Sequence, residues 1–341
     1  MNILENWGMK KIEVFYEKWD TQNYFTSTEH LFKSPVLRYG TFVAFVIGFV
    51  LTLPIIYMEI EWKIFDLNAF NPLNALFYGI GLLVLICLEF YLLFLLSFYL
   101  LSYYFYHLYH ISPQENMMQE RAFIAMMSRT VMELSEGHVQ KFNIDHKELN
   151  DKQIALLALV YKMKVVVTNA VLKFVAKKAL TRTSLRLYTP YVAALGTGLW
   201  DAFVFYRVIK DAQYKIMVRY TIRYLLEHKK YLVSQEYNIK AILSRYYHYG
   251  EYNNNLDYLL EEIYRCKVFD YKKTDFLKDE VYEKCDEDFL LLLFAFKEKI
   301  HSQKERKIIQ RINKNKTIKS IRKALQQGDM AYLKGYIDRL T

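Results

Sequence analysis

The chain has 341 residues, of which 53% are hydrophobic and 17% aromatic, and its formal net charge is +10. This apolar content is high for a protein that lies wholly in water, and it is unevenly distributed. Residues 39–58 contain no charged side chain, and residues 67–114 contain only Glu89. The composition excludes a simple soluble enzyme, and three scattered cysteines exclude both a disulfide scaffold and a CxxC metal site.

Two apolar segments near the N-terminus predict a transmembrane hairpin. A bilayer core about 30 Å thick needs about 20 apolar residues in a helix, because each residue rises about 1.5 Å. Residues 39–58 meet this length, whereas residues 75–104 exceed it. The second helix must therefore tilt strongly or continue into the cytosol as a rod.

The charges that flank these segments predict their orientation. Lys33 and Arg38 precede the first span, the connection 59–74 has an acidic excess, and the region after the second span is strongly basic. Because loops rich in Lys and Arg stay on the cytoplasmic side, both termini are predicted to be cytoplasmic. The chain is thus expected to be a multi-pass protein of the cell inner (cytoplasmic) membrane.

Small residues recur at helical spacing in both spans. Gly40, Ala44 and Gly48 lie on one face of the first span, and Ala75 and Gly79 repeat the pattern in the second. Such faces allow the backbone of another helix to approach closely. They predict a packing interface, either within the hairpin or between subunits of an oligomer.

Two acidic residues lie within apolar segments and are candidates for an intramembrane role. Glu89 falls near the middle of the second span, and Asp201 interrupts the apolar residues 187–206. A carboxylate at the bilayer centre costs about 2.5–3.5 kcal/mol, so such a group is expected to be protonated, paired or turned toward protein. A structural contact is the favoured interpretation, and a proton or cation relay is the alternative.

The middle segment, 154–208, is apolar but carries several lysines. A second pair of spans here would export the basic turn between them, contrary to the positive-inside rule. An interfacial or re-entrant helix pair is therefore favoured, and a third and fourth span are the alternative. The cations expected to contact anionic lipid headgroups in this segment are Lys177, Lys178, Arg182 and Arg186.

Several short motifs between residues 30 and 215 are similar to those of a known protein family. The sequences SPVLRYG, LALVYKMK, TNAVLK and YTPYVAAL, followed by LWDAFVFYRVIKDA, lie within residues 30–215. The most specific part is Trp200-Asp201-Ala202 with Arg207 and Asp211-Ala212. Over this range the chain resembles a family of uncharacterised bacterial integral-membrane proteins. The resemblance implies a shared membrane architecture and no catalytic activity, and it does not extend to residues 220–341.

The C-terminal region is rich in tyrosine and basic residues. The apolar run 289–296 is too short to span a bilayer and is predicted to be a buried core helix. Residues 297–323 then hold eleven Lys and Arg side chains interspersed with isoleucines. This basic amphipathic pattern predicts either a solvated face packed on 289–296 or contact with lipid headgroups. The residues predicted to make that contact are Lys314, Lys316, Lys319, Arg322 and Lys323.

These observations predict an all-α membrane protein: a two-helix transmembrane hairpin followed by a helical cytoplasmic region with interfacial or re-entrant helices. The predicted divisions are a cytoplasmic N-terminal segment (1–35), the hairpin (36–110), a membrane-proximal domain (111–215) and a basic C-terminal domain (216–341). No nucleotide-binding, hydrolase or kinase motif occurs, and neither a cofactor nor a metal site is predicted.

The predicted function is a non-catalytic, membrane-anchored scaffold or regulatory protein. The alternative is an oligomeric pore or transporter built from the hairpin. The expected partners are the lipid bilayer, anionic lipid headgroups, a second copy of the chain and an unidentified cytoplasmic protein. Nucleic acid is not expected, because no recognised nucleic-acid motif accompanies the basic residues.

Overall fold

The structure is a computed structural model that describes residues 3–19, 25–61, 71–111, 120–132, 189–248, 254–265, 285–296, 303–312 and 315–340. Every regular element in these ranges is an α-helix, which confirms the all-α prediction. In chain order the helices are α1 (Ile3–Tyr16), α2 (Thr28–Lys33), α3 (Val36–Glu61), α4 (Pro72–Ile111), α5 (Arg121–Val131), α6 (Thr189–His228), α7 (Lys230–Ser234), α8 (Glu236–His248), α9 (Asn254–Arg265), α10 (Glu287–Phe296), α11 (Gln303–Ile312), α12 (Asn315–Gln327) and α13 (Met330–Asp338).

The described residues form two compact units. Unit 1 contains α1, α3, α4, α5 and residues 189–209 of α6. Unit 2 contains residues 25–33, the remainder of α6 from Lys210 and the helices α7 to α13. The short helix α2 therefore belongs with the C-terminal helices, although it lies between α1 and α3 in the chain.

In unit 1, α3 and α4 pack against each other as a hairpin. Both are long and apolar enough to cross a membrane. Helix α4 is continuous over 40 residues. Pro54 lies inside α3, which nevertheless extends without interruption to Glu61.

The environment of α4 changes along its length. Its first part has exposed apolar side chains on successive turns, and these are Leu73, Leu76, Phe77, Ile80, Leu83, Val84, Leu88 and Tyr91. Its last part is covered by protein, and the buried side chains there are Phe98, Leu100, Leu101, Tyr104, Phe105 and Leu108. The transition falls between Tyr91 and Phe98.

Helix α1 and the turn that follows it to Trp19 cover that last part of α4 through a series of aromatic contacts. The ring of Trp7 packs edge-on against Phe98, with the centroids 5.5 Å apart, and Trp19 packs against Tyr103 at 5.1 Å. The indole Nε1 of Trp19 also donates a hydrogen bond to Ser102 Oγ at 2.9 Å. The aromatic pairs and the hydrogen bond fix the position of α1 along α4.

Helix α5 completes this cover by packing against both α1 and α4. Gly8 of α1 allows the close approach, because a Cβ there would lie 2.0 Å from Ser128 Oγ on α5. The buried carboxylate of Glu5 pairs with Arg129 at 2.9 Å. Removing one partner of a buried ion pair leaves an uncompensated charge, so this pair fixes α5 relative to α1.

Unit 2 is built around α10, whose side chains from Phe289 to Phe296 are all buried. This confirms the prediction of a core helix. The buried stripe of α12, formed by Ile318, Ile321, Ala324 and Leu325, belongs to a helix that packs on α10, as predicted.

The buried C-terminal end of α10 is capped by side chains from other helices. Carbonyl groups in the last turn of a helix have no partner within the helix. Here the carbonyl of Phe294 accepts from Arg322 at 2.8 Å, that of Ala295 accepts from Tyr214, and that of Phe296 accepts from Asn255 at 2.8 Å. Side chains from three helices thus satisfy the last three carbonyl groups of α10.

Candidate functional site

The predicted small-residue face of α3 packs against α6 within unit 1. A Cβ on Gly48 would lie 2.0 Å from Oδ2 of Asp201, and a Cβ on Gly198 would lie 2.7 Å from the carbonyl oxygen of Phe45. Ala44, between the two glycines of α3, is fully buried. The face is therefore occupied by another helix of the same chain.

The order of these contacts gives the direction of α6. Gly40, near the start of α3, faces Phe205 of α6, whereas Gly48, about two turns further along, faces Gly198 and Asp201. Helix α6 therefore runs antiparallel to α3. A Cβ on Gly40 would also lie 3.0 Å from Leu100, so this position contacts α4 as well.

The second predicted small-residue pair has a different environment. Ala75 is half-buried and Gly79 is exposed. No atom of the described residues lies within 4 Å of a Cβ built on Gly79. Within the described part of the chain, Gly79 is not a packing residue.

Both acidic candidates lie on faces turned toward protein. Glu89 of α4 is 8% exposed and Asp201 of α6 is 6% exposed. Burial removes water from a carboxylate, so each group depends on its protein surroundings. The expectation that these residues face protein rather than lipid agrees with this placement.

A cavity of about 70 Å³ lies beside Asp201, where α4, α5 and α6 meet. Helix α4 contributes one face, with Phe90, Phe94 and Ser97 at helical spacing. The residues that also line it are Leu93, Val131, Met132, Trp200, Asp201, Val204, Phe205 and Val208. Glu89 does not line the cavity, although it is adjacent to Phe90 in the chain.

The predicted headgroup contacts are only partly within the described residues. Lys177, Lys178, Arg182, Arg186 and Lys314 lie outside them. Lys316, Lys319 and Lys323 form the exposed face of α12. Arg322 instead donates to the carbonyl of Phe294 and helps to cap α10. The exposed basic face of α12 is therefore smaller than the sequence predicts.

No group of three or more His, Cys, Asp or Glu side chains that could hold a metal ion occurs among the described residues. His107 and His110, the pair with helical spacing near the end of α4, are packed among tyrosine rings. His107 lies 4.4 Å from the ring of Tyr103, and His110 lies 4.7 Å from that of Tyr106.

Sequence reasoning missed the partner of the small-residue face and the cavity. It weighed packing within the hairpin or between subunits, whereas Gly48 packs against α6 and Gly40 contacts both α6 and α4. Gly198 close to Asp201 in an apolar segment was the available signal, but the sequence does not show which distant segment packs against it.

Comparison with known proteins supplies no relative. No family model, curated protein or solved structure matches the chain. The resemblance to uncharacterised bacterial membrane proteins therefore stays a prediction, and the function rests on geometry.

Proposed function

We propose that the chain is a membrane-anchored helical scaffold or regulatory protein. Unit 1 inserts in the bilayer through α3 and α4, and unit 2 is its cytoplasmic binding domain. The observation that carries the proposal is the belt of exposed apolar side chains on these two helices, which in water would be an unusually large apolar surface. On α3 the exposed members are Tyr39, Phe42, Val43, Val46, Val50 and Tyr57.

The exposed part of α4 has the length of a bilayer core. From Leu73 to Tyr91 the helix rises about 27 Å, against a hydrocarbon thickness of about 30 Å. The remaining turns, covered by α1 and α5, then form a rod that leaves the membrane on the cytoplasmic side. This arrangement favours the emerging rod over a strongly tilted span.

The first half of α6 is proposed to join α3 and α4 inside the bilayer. Its outward side chains Leu195, Leu199, Phe203 and Tyr206 are exposed and apolar, and its opposite face packs on α3. This supports the alternative with additional spans over an interfacial helix. Because α6 runs antiparallel to α3, its Thr189 end lies toward the outer leaflet if the N-terminus is cytoplasmic.

This placement conflicts with the positive-inside rule, since it exports the basic residues that precede Thr189. Labelling of a cysteine at Ser184 by an impermeant thiol reagent distinguishes the two topologies. We expect reaction from the outer side of intact cells. Reaction only after the membrane is permeabilised would show that this segment lies on the cytoplasmic side. A cysteine at Asn68, labelled in the same way, tests whether the loop of the hairpin lies on the outer side.

Membrane insertion can be tested with a native side chain. Cys87 of α4 is exposed, so in water it would react readily with a polar thiol reagent. Buried in lipid, it is expected to react only after the membrane is dissolved and the protein denatured. The test uses a chain with Cys266→Ser and Cys285→Ser, and Ile3→Cys, at an 84% exposed position of α1, as a reactive control. Rapid labelling of Cys87 in intact membranes would contradict insertion.

A pore built from several hairpins is not favoured. That alternative requires the face of Gly40, Ala44 and Gly48 at an interface between subunits, whereas this face is filled by α6. Glu89 is likewise turned toward protein of its own chain. The geometry therefore supports a membrane anchor better than a pore.

The exposed cations of α12 are proposed to bind anionic headgroups. Each Lys near such a surface contributes about 1 kcal/mol, and the attraction decays over about 8 Å at physiological salt. A fluorophore at the exposed Gln326 of the full-length chain should be quenched by headgroup spin labels in anionic but not neutral nanodiscs. Replacing Lys316, Lys319 and Lys323 by Gln should abolish the difference, whereas equal quenching in both lipids would indicate a solvated face.

A further inference from the structure

The cavity between α4, α5 and α6 of unit 1 has the size of a small organic molecule. Its volume is about 70 Å³, several times the roughly 10–15 Å³ needed to admit one water molecule. It therefore has space for about five groups of water size. An apolar cavity about twice as large binds benzene in another protein, so a molecule of about five heavy atoms matches this one.

The cavity is more accessible at one end than at the other. Helices α4 and α6 run in the same direction, because both are antiparallel to α3. The lining residues that come first along them are half-buried, and these are Phe90, Leu93, Phe94, Trp200 and Val204. The lining residues that follow are buried, and these are Ser97, Phe205 and Val208. The accessible end therefore lies beside the exposed apolar side chains of Leu88, Tyr91, Leu199 and Phe203.

Three lining residues carry polar groups, and two of these groups are already engaged. The Ser97 hydroxyl donates to the carbonyl of Leu93 at 2.8 Å. Asp201 makes an interaction within the protein, and its Oδ2 lies against Gly48 of α3, so this carboxyl group is not available to a ligand. The indole Nε1 of Trp200, in contrast, is buried and has no hydrogen-bond partner in the described part of the chain.

These walls favour a neutral molecule with one hydrogen-bond acceptor. Most of the lining side chains are apolar, and none of the described ones is basic, so an anion has no counter-charge. A cation has none either, because the one carboxyl group is engaged. A cluster of water molecules would need two to four polar partners for each molecule, whereas the walls leave a single N–H donor. An oxygen atom on an otherwise apolar molecule would give that donor an acceptor.

We propose that this cavity binds a small neutral apolar molecule with one carbonyl oxygen, which accepts a hydrogen bond from Nε1 of Trp200. Its apolar part contacts the side chains of Phe90, Phe94, Val204 and Phe205. The accessible end beside exposed apolar side chains lets such a molecule enter from an apolar phase. The inference goes beyond the proposed scaffold function and does not depend on it, because the chain's own helices form the cavity.

The proposal is tested by nuclear magnetic resonance of the indole N–H groups in the full-length protein in maltoside micelles. The probe is butan-2-one, a ketone of five heavy atoms, and the Trp200 signal is assigned by its loss in Trp200→Phe. We expect a saturable downfield shift of the Trp200 N–H proton in the millimolar range, because so small a ligand gains little binding energy. The Trp19 signal is the internal control, since its Nε1 already donates to Ser102. No saturable shift of Trp200 up to about 100 mM overturns the proposal.

A competitor without an acceptor separates the hydrogen bond from simple filling of the cavity. The alkene 2-methylbut-1-ene has the shape of butan-2-one, with a methylene group in place of the carbonyl oxygen. It should displace the ketone and reverse the downfield shift, and it should cause no such shift when added alone. An equal downfield shift with both compounds would show that Trp200 does not bind the oxygen and would contradict the proposal.

Two variants of α6 place the response in the cavity. Val204→Phe fills part of the space and should weaken the binding of butan-2-one at least about tenfold. Leu199→Phe is the matched control, because Leu199 is 63% exposed and does not line the cavity, and it should leave binding unchanged. Unchanged binding in Val204→Phe contradicts the site, and so does an equal loss in Leu199→Phe. If Val204→Phe does not fold, the reversal by the alkene still decides the question in the unaltered chain.

Discussion

The two 40-residue helices, α4 and α6, meet their surroundings in different ways. Helix α4 first exposes apolar side chains and then is covered by α1 and α5. Helix α6 has one packed and one exposed apolar face up to Ile209, and beyond it most side chains are buried in unit 2. In α4 no charged residue marks the change, whereas in α6 basic residues begin at Arg207.

The comparison teaches that apolar sequence alone does not locate the membrane. The last turns of α4, residues 92–111, contain no Asp, Glu, Lys or Arg, yet many of their side chains are buried against protein. What distinguishes them is the tyrosine-rich composition near residues 99–109, which suits aromatic contacts with α1. The two parts of α4 should therefore respond differently to the same substitution.

The largest expected effect is at the covered part of α4. Leu101 is fully buried, so Leu101→Ala should lower the free energy of unfolding by about 2–5 kcal/mol through the cavity that it creates. Leu83 is 65% exposed, and Leu83→Ala should change the free energy of unfolding by less than about 1 kcal/mol. Unfolding of both variants in lipid nanodiscs measures the difference. Equal losses would mean that Leu83 is also packed against protein.

The next largest effect tests whether α6 packs on α3. An alanine at Gly198 would place Cβ 2.7 Å from a backbone oxygen, which cannot move aside easily, so Gly198→Ala should cost about 2–3 kcal/mol. Gly196 has no described atom within 4 Å of a built Cβ, so Gly196→Ala should stabilise the helix by about 0.5–1 kcal/mol. Thermal unfolding of the pair checks the sign. Stabilisation by both alanines would show that α6 does not pack on α3.

The sequence predicted those features that depend on local pattern. Composition gave the two long apolar helices, and the length of 289–296 gave the buried helix α10. The sequence did not predict that α2 packs with α12, that Arg322 points inward, or that α6 fills the small-residue face. Each of these depends on contacts between residues far apart in the chain. Periodicity within one segment identifies a buried face but not the segment that covers it.

A smaller effect concerns Tyr258 of α9, which lies near Arg219 and Arg223 of α6 in unit 2. Burial raises the pKa of Tyr258 to about 12, although the nearby guanidinium groups of Arg219 and Arg223 act to lower it. An unfolded tyrosine ionises near pH 10, so the folded state binds this proton more tightly. Stability from this group is complete below pH 10 and is lost as the pH rises toward 12.

Tyr258→Phe should remove this dependence on pH. Between pH 9 and pH 11 the free energy of unfolding of the wild-type chain should fall by about 1.4 kcal/mol more than that of the variant. Chemical unfolding at both pH values provides the measurement. Below pH 9 the two free energies of unfolding should differ by a constant amount. If they fall in parallel up to pH 11, Tyr258 ionises equally in the folded and unfolded states.

The smallest expected effect tests why α2 belongs to unit 2. Gly328 follows α12 with a φ of 75°, a left-handed conformation that favours glycine, and its carbonyl accepts a hydrogen bond from Thr28 Oγ1 at 2.7 Å. A Cβ at this position would also lie 2.9 Å from the carbonyl oxygen of Thr28. Gly328→Ala should therefore cost about 1 kcal/mol and loosen α2. Gly335→Ala, with no described atom near its Cβ, is the matched control. Hydrogen exchange should become faster in Thr28–Lys33 of the Gly328 variant but not of the control, because only the first disturbs the turn that holds α2. Unchanged exchange in both would mean that α2 is held by the apolar contacts of Leu31 and Phe32 rather than by this turn.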